Sequence, residues 1–135
     1  MTRPTRRTLL TGTAAGLTLG AVAGQATAGH PQGALVHHVL FWLKRPDSEA
    51  DRDALVAGIR SLGAIETVRG VQVGFPADTM ARGVVDGSWS VSEMLWFDDA
   101  AGQDAYQVDP LHQEFVAQHE HLWERVVVYD VMAAP

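Results

Sequence analysis

The sequence contains no cysteine, and this absence removes several classes of chemistry at once. Disulfide bridges, thiolate nucleophiles and zinc sites built on thiolates all require cysteine side chains. The folded chain must therefore gain its stability from packing.

The sequence also lacks a hydrophobic run long enough to cross a bilayer. Its most apolar stretch runs from Leu9 to Ala23 and is broken by glycines and threonines, whereas a membrane-spanning helix needs roughly 20 apolar residues. An arginine pair precedes this stretch, and the small-residue triplet Ala26-Thr27-Ala28 follows it. This arrangement is typical of a cleaved export signal.

The residues around the arginine pair, Thr5-Arg6-Arg7-Thr8-Leu9-Leu10, resemble the twin-arginine pattern of bacterial proteins that are exported already folded. We therefore expect residues 1–28 to be a twin-arginine signal peptide and residues 29–33 a short linker. Residues 34–132 are predicted to form the folded domain. The expected location is the periplasm or the extracellular medium.

Basic residues are scarce, since the chain has 10 lysines and arginines against 16 aspartates and glutamates. Cleavage of the signal would remove three arginines and no acidic residue, which leaves a formal charge of −9 on the mature chain with histidine neutral. Such a surface repels nucleic acid and anionic membranes, and no basic cluster reverses this locally. We expect neither as a partner once the signal is removed.

The remaining sequence alternates between strand and helix patterns. Strands are predicted at 34–44, 68–75, 90–97 and 125–132, and helices at 47–65, 98–107 and 109–123. Ser48 and Asp51 predict a capping box at the start of the first helix. Asp109 and Pro110 predict the start of the last helix. The order is the split βαββαβ arrangement of ferredoxin-like α+β folds, with both helical layers on one face of a four-stranded antiparallel sheet.

The other face of this sheet is predicted to be apolar as well. The first strand places Val36, Leu40 and Trp42 with His38 on one face and a second apolar set on the opposite face. A monomer would leave one of these faces exposed to water, beyond the size of apolar patch that is usually tolerated. We therefore expect a homodimer in which two sheets meet face to face.

Five segments then resemble a known family. VHHVLFWLK, SEADRDALVAGIRSL, VQVGFPA, QDAYQVDPLHQEF and LWERVVVYDV occur in this order over nearly all of the predicted domain, and the chain is similar to the stress-responsive dimeric α/β-barrel (Dabb) proteins. The specific features are the histidine-containing first strand, the Tyr-x-x-x-Pro-x-His segment and the valine-rich last strand. The resemblance implies a ferredoxin-like subunit whose sheet forms half of a barrel in a homodimer.

The resemblance also suggests residues for chemistry. A plant polyketide cyclase of the family uses a tyrosine and a histidine of this segment without any cofactor, and the motif places these roles on Tyr106 and His112. The histidine of the first strand falls on His38. In such a site His112 would act as general base towards an acidic α-proton, and Tyr106 would hydrogen-bond the enolate oxygen.

The sequence departs from the family pattern at two places. Asp109 occupies a position where the motif usually has histidine, and the third strand has Val91 and Ser92 where the cyclase has a further histidine. Asp109 is sufficiently explained as a helix cap.

Each candidate histidine or tyrosine also has a structural interpretation. His112 could satisfy a buried carbonyl, Tyr106 could be a core aromatic residue, and His38 could be a neutral, hydrogen-bonded core histidine. His37 lies on the helix-facing side of the first strand and is interpreted as structural.

A metal site is not favoured by the histidine spacing. His112 and His119 are two helical turns apart, roughly 10 Å, which is too far for two ligands of one zinc ion with Zn–N bonds near 2 Å. His119 and His121 point to nearly opposite sides of a helix. We expect neither a metal nor another cofactor.

Two hypotheses therefore remain. The first is an exported protein that binds a small apolar or aromatic molecule between the sheet and the last helix. The predicted walls of this site are Trp42, Met94, Trp96 and Phe115. The second is a cofactor-free lyase, cyclase or isomerase that uses the same cavity, and it requires Tyr106 and His112 to converge there. We favour the first.

Overall fold

The computed structural model describes residues 34–135, so the predicted signal and linker lie outside the described residues. The elements are β1 (Leu35–Leu43), α1 (Glu49–Ser61), β2 (Gly70–Gly74), β3 (Val91–Phe97), α2 (Ala100–Val108), α3 (Pro110–His119) and β4 (Trp123–Met132). Single 3₁₀ turns follow α1 and α3. The element order agrees with the prediction. No helix in the described part of the chain is long and apolar enough to cross a membrane.

The four strands form one antiparallel sheet in the order β2-β3-β1-β4. The chain's first and third strands are the two central ones, and its second and last strands form the edges. This confirms the predicted ferredoxin-like α+β fold. The two central strands carry the most apolar sequences because they are covered by neighbours on both sides.

The two faces of the sheet differ in what covers them. Alternate β1 residues from Leu35 to Leu43 are buried, and the residues between them are half-buried. The buried set packs with Leu55 and Ile59 of α1 in the main core. On the opposite face the side chains of Tyr129 and Val131 in β4 are 55% and 52% exposed. The helices therefore cover one face only, and the other presents apolar side chains to solvent.

The start of α1 confirms one half of the predicted capping box. The Ser48 hydroxyl accepts a hydrogen bond from the Asp51 backbone N–H at 3.2 Å, as expected of an N-cap. The reciprocal half is not formed, because the Asp51 carboxylate instead accepts hydrogen bonds from Nε and Nη2 of Arg45. The Ser48 N–H donates to the Arg45 carbonyl at 3.0 Å. A guanidinium offers two charge-assisted hydrogen bonds, which are stronger than one to a backbone N–H.

Asp109 forms the junction between α2 and α3. Its backbone N–H donates to the Tyr106 carbonyl at 3.1 Å, closing α2. Its carboxylate accepts from the Leu111 N–H at 2.8 Å, and Pro110 occupies the first turn of α3. The predicted cap is therefore confirmed. One residue ends one helix and starts the next, so the chain turns sharply at this point.

Close packing of α1 against α3 fixes the position of α3 over the sheet. A Cβ atom at Gly58 would lie 2.6 Å from Nε2 of His119, well inside van der Waals contact. The His119 ring cannot easily move away, because its Nδ1 donates to the Phe115 carbonyl at 2.8 Å and its ring stacks on Phe115. Gly58 is therefore required by the close approach of the two helices.

This contact predicts that the effect of Gly58→Ala depends on His119. In the wild-type background we expect the free energy of unfolding to fall by about 1–3 kcal/mol, because the added methyl group overpacks the interface. In a His119→Ala background the clash is absent, so the same substitution should raise it by about 0.5–1 kcal/mol through its helix propensity. Urea unfolding of the four proteins measures both values. The same sign in both backgrounds would contradict this contact.

Candidate functional site

A cavity of about 310 Å³ lies between the helix-covered face of the sheet and α3. Its lining residues are His37, Val39, Phe41, Glu93, Tyr106, Gln107, His112, Phe115, Val116, Glu120, Trp123, Val126 and Val128. Six of these residues carry polar side chains, and the other seven are aliphatic or aromatic. Pockets of this size and composition are typical of sites for small organic molecules.

Tyr106 and His112 both line this cavity, and their ring centroids are 4.3 Å apart. They come from different helices, and the turn at Asp109 brings them together. Convergence on one cavity is the arrangement that the enzyme hypothesis requires. It does not by itself assign either residue a catalytic role.

The hydrogen bonding of the His112 side chain favours one tautomer of its ring. Its Nδ1 lies 3.2 Å from the Gln107 carbonyl, and a hydrogen bond to a carbonyl requires a proton on Nδ1. In the neutral ring Nε2 then carries the lone pair. Burial lowers the pKa of His112 below its ordinary value, although the hydrogen bond to Gln107 opposes this. A neutral imidazole can accept a proton in this pocket.

Tyr106 is the most deeply buried polar group contributed by the helices, with a relative exposure of 1%. Its hydroxyl donates to Oε1 of Glu93 at 3.5 Å. Burial, followed by the nearby Glu93 carboxyl, raises the pKa of Tyr106. The side chain is therefore a phenol that can donate a hydrogen bond and not a phenolate.

The structure corrects the placement of four predicted site residues. His38, Trp42, Met94 and Trp96 lie on the sheet face opposite the helices, because successive strand side chains point to opposite faces. His38 forms a 2.9 Å hydrogen bond with Ser92 on that face, and its pKa is lowered by burial and by His37. These four do not line the cavity between the sheet and α3, contrary to the prediction. Phe115 does line it.

His37 is part of the cavity wall, although the sequence suggested only a structural role. It is 4% exposed, and its Nδ1 lies 2.6 Å from Oδ1 of Asp130 on β4. Its ring contacts Tyr106 edge-on at 5.7 Å between centroids. The signal in the sequence was the helix-facing position of His37, which is the same face as the cavity.

Glu93 was overlooked as a site residue. It lies in the middle of β3, is 1% exposed, and lines the cavity. Burial raises the pKa of Glu93 to about 8, while the hydrogen bond from Tyr106 acts in the opposite direction. The available signal was a carboxylate on an otherwise apolar strand face, between Val91 and Leu95.

The described residues 34–135 contain no group of three or more histidine or carboxylate side chains that could hold a metal ion. His119 is turned towards the Phe115 carbonyl and packs against Gly58. It therefore lies apart from the polar groups of the cavity.

Residues 35–133 match the family model described as Stress responsive A/B Barrel Domain. No curated protein matches the chain. Several solved structures do match the chain. The three described next are each below 25% identical to it, so their likeness shows the fold alone.

Three of these structures illustrate the range of the fold. A Dabb family protein from Mesorhizobium loti is 23% identical with a TM-score of 0.62, covering 77% of this chain and 100% of that one. A hydroxynitrile lyase from Passiflora edulis is 19% identical with a TM-score of 0.62, covering 76% and 96%. A dimeric ferredoxin-like protein of unknown function from Thermobifida fusca is 19% identical with a TM-score of 0.58, covering 76% and 94%.

The raised pKa of Glu93 predicts a pH dependence of stability. Folding raises this pKa from 4.5 to about 8, so the native state holds a proton that the unfolded chain releases between those values. This contribution is complete below about pH 4.5 and is lost as pH rises through about 8. We expect Glu93→Gln, which is neutral at every pH, to become increasingly stable relative to wild type over this range.

Urea unfolding at several pH values measures the difference. Glu124→Gln removes a carboxylate from an exposed position of β4 and is the matched control, for which we expect a curve parallel to wild type. If the Glu93→Gln curve is also parallel to wild type, the carboxyl is not held protonated.

Proposed function

The chain belongs to the stress responsive A/B barrel domain family, and we propose that it binds a small, largely apolar or aromatic molecule in the cavity between the sheet and α3. The observation that carries this proposal is the convergence of Tyr106 and His112 on one cavity with a mostly apolar wall. Buried polar groups at one end of an apolar pocket orient a ligand, while the apolar wall supplies most of the contact area.

The shape of the wall supports a ligand with two parts. Phe41, Phe115 and Trp123 offer aromatic surfaces, which suit a ring or an alkyl chain. The polar end offers the phenol of Tyr106 and the free Nε2 of His112. These groups suit a carbonyl or hydroxyl function on the ligand.

A second candidate function is cofactor-free lyase, cyclase or isomerase chemistry in the same cavity. It is supported by the environments of the pair, since burial lowers the pKa of His112 and raises that of Tyr106. In this reaction Nε2 of His112 takes a proton from carbon α to the ligand carbonyl, and the Tyr106 hydroxyl hydrogen-bonds the enolate oxygen. One structure with this fold is a hydroxynitrile lyase, which shows that the fold can support a lyase.

Acetophenone tests both functions with one probe, because it combines a ring with a carbonyl that has α-protons. We expect saturable NMR shifts at cavity residues, and deuterium incorporation into its methyl group in D₂O if the site is an enzyme. His112→Gln should retain binding and slow exchange by at least about 100-fold, the usual contribution of a general base.

The exposed His121 provides a matched control, since His121→Gln should bind and exchange as wild type does. A cavity-filling Val128→Trp should abolish both properties. If acetophenone binds but its methyl group takes up no deuterium, the binding function stands and the enzymatic function is contradicted. A ligand cavity would be contradicted if acetophenone does not bind to the wild type. It would also be contradicted if Val128→Trp binds acetophenone as the wild type does.

We also propose that the mature protein is exported and acts as a homodimer. The arginine pair and the following apolar stretch support export. The exposed Tyr129 and Val131 on the uncovered sheet face support assembly, because a second copy could bury them. The Thermobifida fusca structure of the same fold is described as dimeric.

Expression of the full-length chain in a bacterium with a twin-arginine pathway tests this proposal. We expect a periplasmic product that begins near Gly29 by mass spectrometry, and loss of export when Arg6 and Arg7 are both replaced by lysine. Light scattering of this product should give a dimer. Leu40→Glu on the uncovered face should weaken the dimer, whereas Ala117→Glu on the exposed side of α3 should not. A wild-type monomer at micromolar concentration would contradict the assembly.

A further inference from the structure

The packing of the sheet does not require a carboxyl group at the position of Glu93. Its cross-strand neighbours are Val39 on β1 and Val73 on β2, both apolar. Burying a carboxyl among apolar side chains costs stability unless the group is well paired. Valine at this position would stabilise the strand better. We therefore look for the role of the carboxyl in the cavity that it lines.

The titratable groups that face Glu93 come from each element around the cavity. They are His37 of β1, Tyr106 of α2, His112 of α3, Glu120 of the following 3₁₀ turn and, through His37, Asp130 of β4. The cavity wall contains no lysine or arginine among the described residues. His37 is paired with Asp130, since its Nδ1 lies 2.6 Å from Oδ1 of that carboxylate. Glu93 therefore has no cation dedicated to it.

The contact with Tyr106 does not satisfy the Glu93 carboxyl fully. At 3.5 Å between Oη and Oε1, it lies beyond the usual range of an O–H···O hydrogen bond. In this contact the carboxyl is the acceptor, so the proton of the neutral acid remains available. A ligand in the cavity is the natural acceptor for that proton.

We propose that Glu93, buried in the cavity wall without a cation beside it, is the specificity-determining group of the cavity and donates its O–H to the carbonyl or hydroxyl oxygen of an uncharged ligand. This inference rests on the proposed binding function and narrows its ligand class. A neutral ligand keeps the polar end of the cavity uncharged, whereas an anion would enter without a cation to pair with. Once Glu93 ionises, the carboxylate loses its donor and attracts cations instead.

Three probes of nearly equal shape separate these cases: benzamide is neutral, benzoate is an anion and benzamidinium is a cation. Their charges do not change between about pH 6.5 and about pH 9, so a change in affinity reports on the protein. We expect benzamide to bind best at the lower pH. Benzamidinium affinity should rise at least about tenfold between the two pH values and benzoate affinity should fall by a similar factor.

The matched variants are Glu93→Gln and Glu124→Gln. The first should lose both pH-dependent changes, and the second should retain them. Carbon NMR titration of the Glu93 carboxyl in wild type provides a reading that does not depend on the variant folding. It should show the carboxyl ionising well above the ordinary range of glutamate.

The outcomes separate this inference from the function on which it rests. Benzamide binding in the cavity with pH-independent affinities for the charged probes would overturn the role of Glu93 and leave the binding function intact. The same conclusion follows if Glu93→Gln keeps the wild-type pH dependence or if the carboxyl titrates near its ordinary value. Failure of all three probes to shift any cavity residue would count against the binding function itself, and the inference would fall with it.

Discussion

The two-residue alternation of side chains along the central strands is the constraint on which this structure depends. In β1 the residues from Leu35 to Leu43 divide into a buried set and a half-buried set, and the helices cover only the first. Neighbouring residues such as His37 and His38 therefore enter different environments. One joins a cavity with Tyr106, and the other bonds to Ser92 on the uncovered face.

The cavity then depends on how α3 is held over the sheet. Asp109 turns the chain between two helices, and the contact of Gly58 with His119 sets the distance between α1 and α3. The resulting space is lined by six polar side chains, among them the buried His37, Glu93 and Tyr106. Buried polar groups of this kind reduce stability unless they are paired, so packing of the core alone does not require them.

Much of the fold follows from local patterns in the chain. The strands, the Ser48 cap and the Asp109–Pro110 helix start were all predicted, because each depends on residues adjacent in sequence. The second half of the capping box was wrong, since Arg45 offered Asp51 a stronger partner. Of the predicted site residues, Tyr106, His112 and Phe115 line the cavity, and their roles stay predictions. Glu93 was missed because a carboxylate within an apolar strand looks the same in sequence whether it faces solvent or a cavity.

The amino-acid sequence by itself determined the order of strands and helices, the acidic charge and the two apolar faces of the sheet, since these depend on composition and short-range periodicity. Only the tertiary structure decided which side chains line the site. The sequence placed His37 on the helix-facing side of β1, yet His38 and Trp42, which point to the opposite face, were counted among the cavity residues. Tyr106 of α2 contacts His37, Glu93 and His112, and only the packing of the helices on the sheet brings together residues that are so distant in sequence.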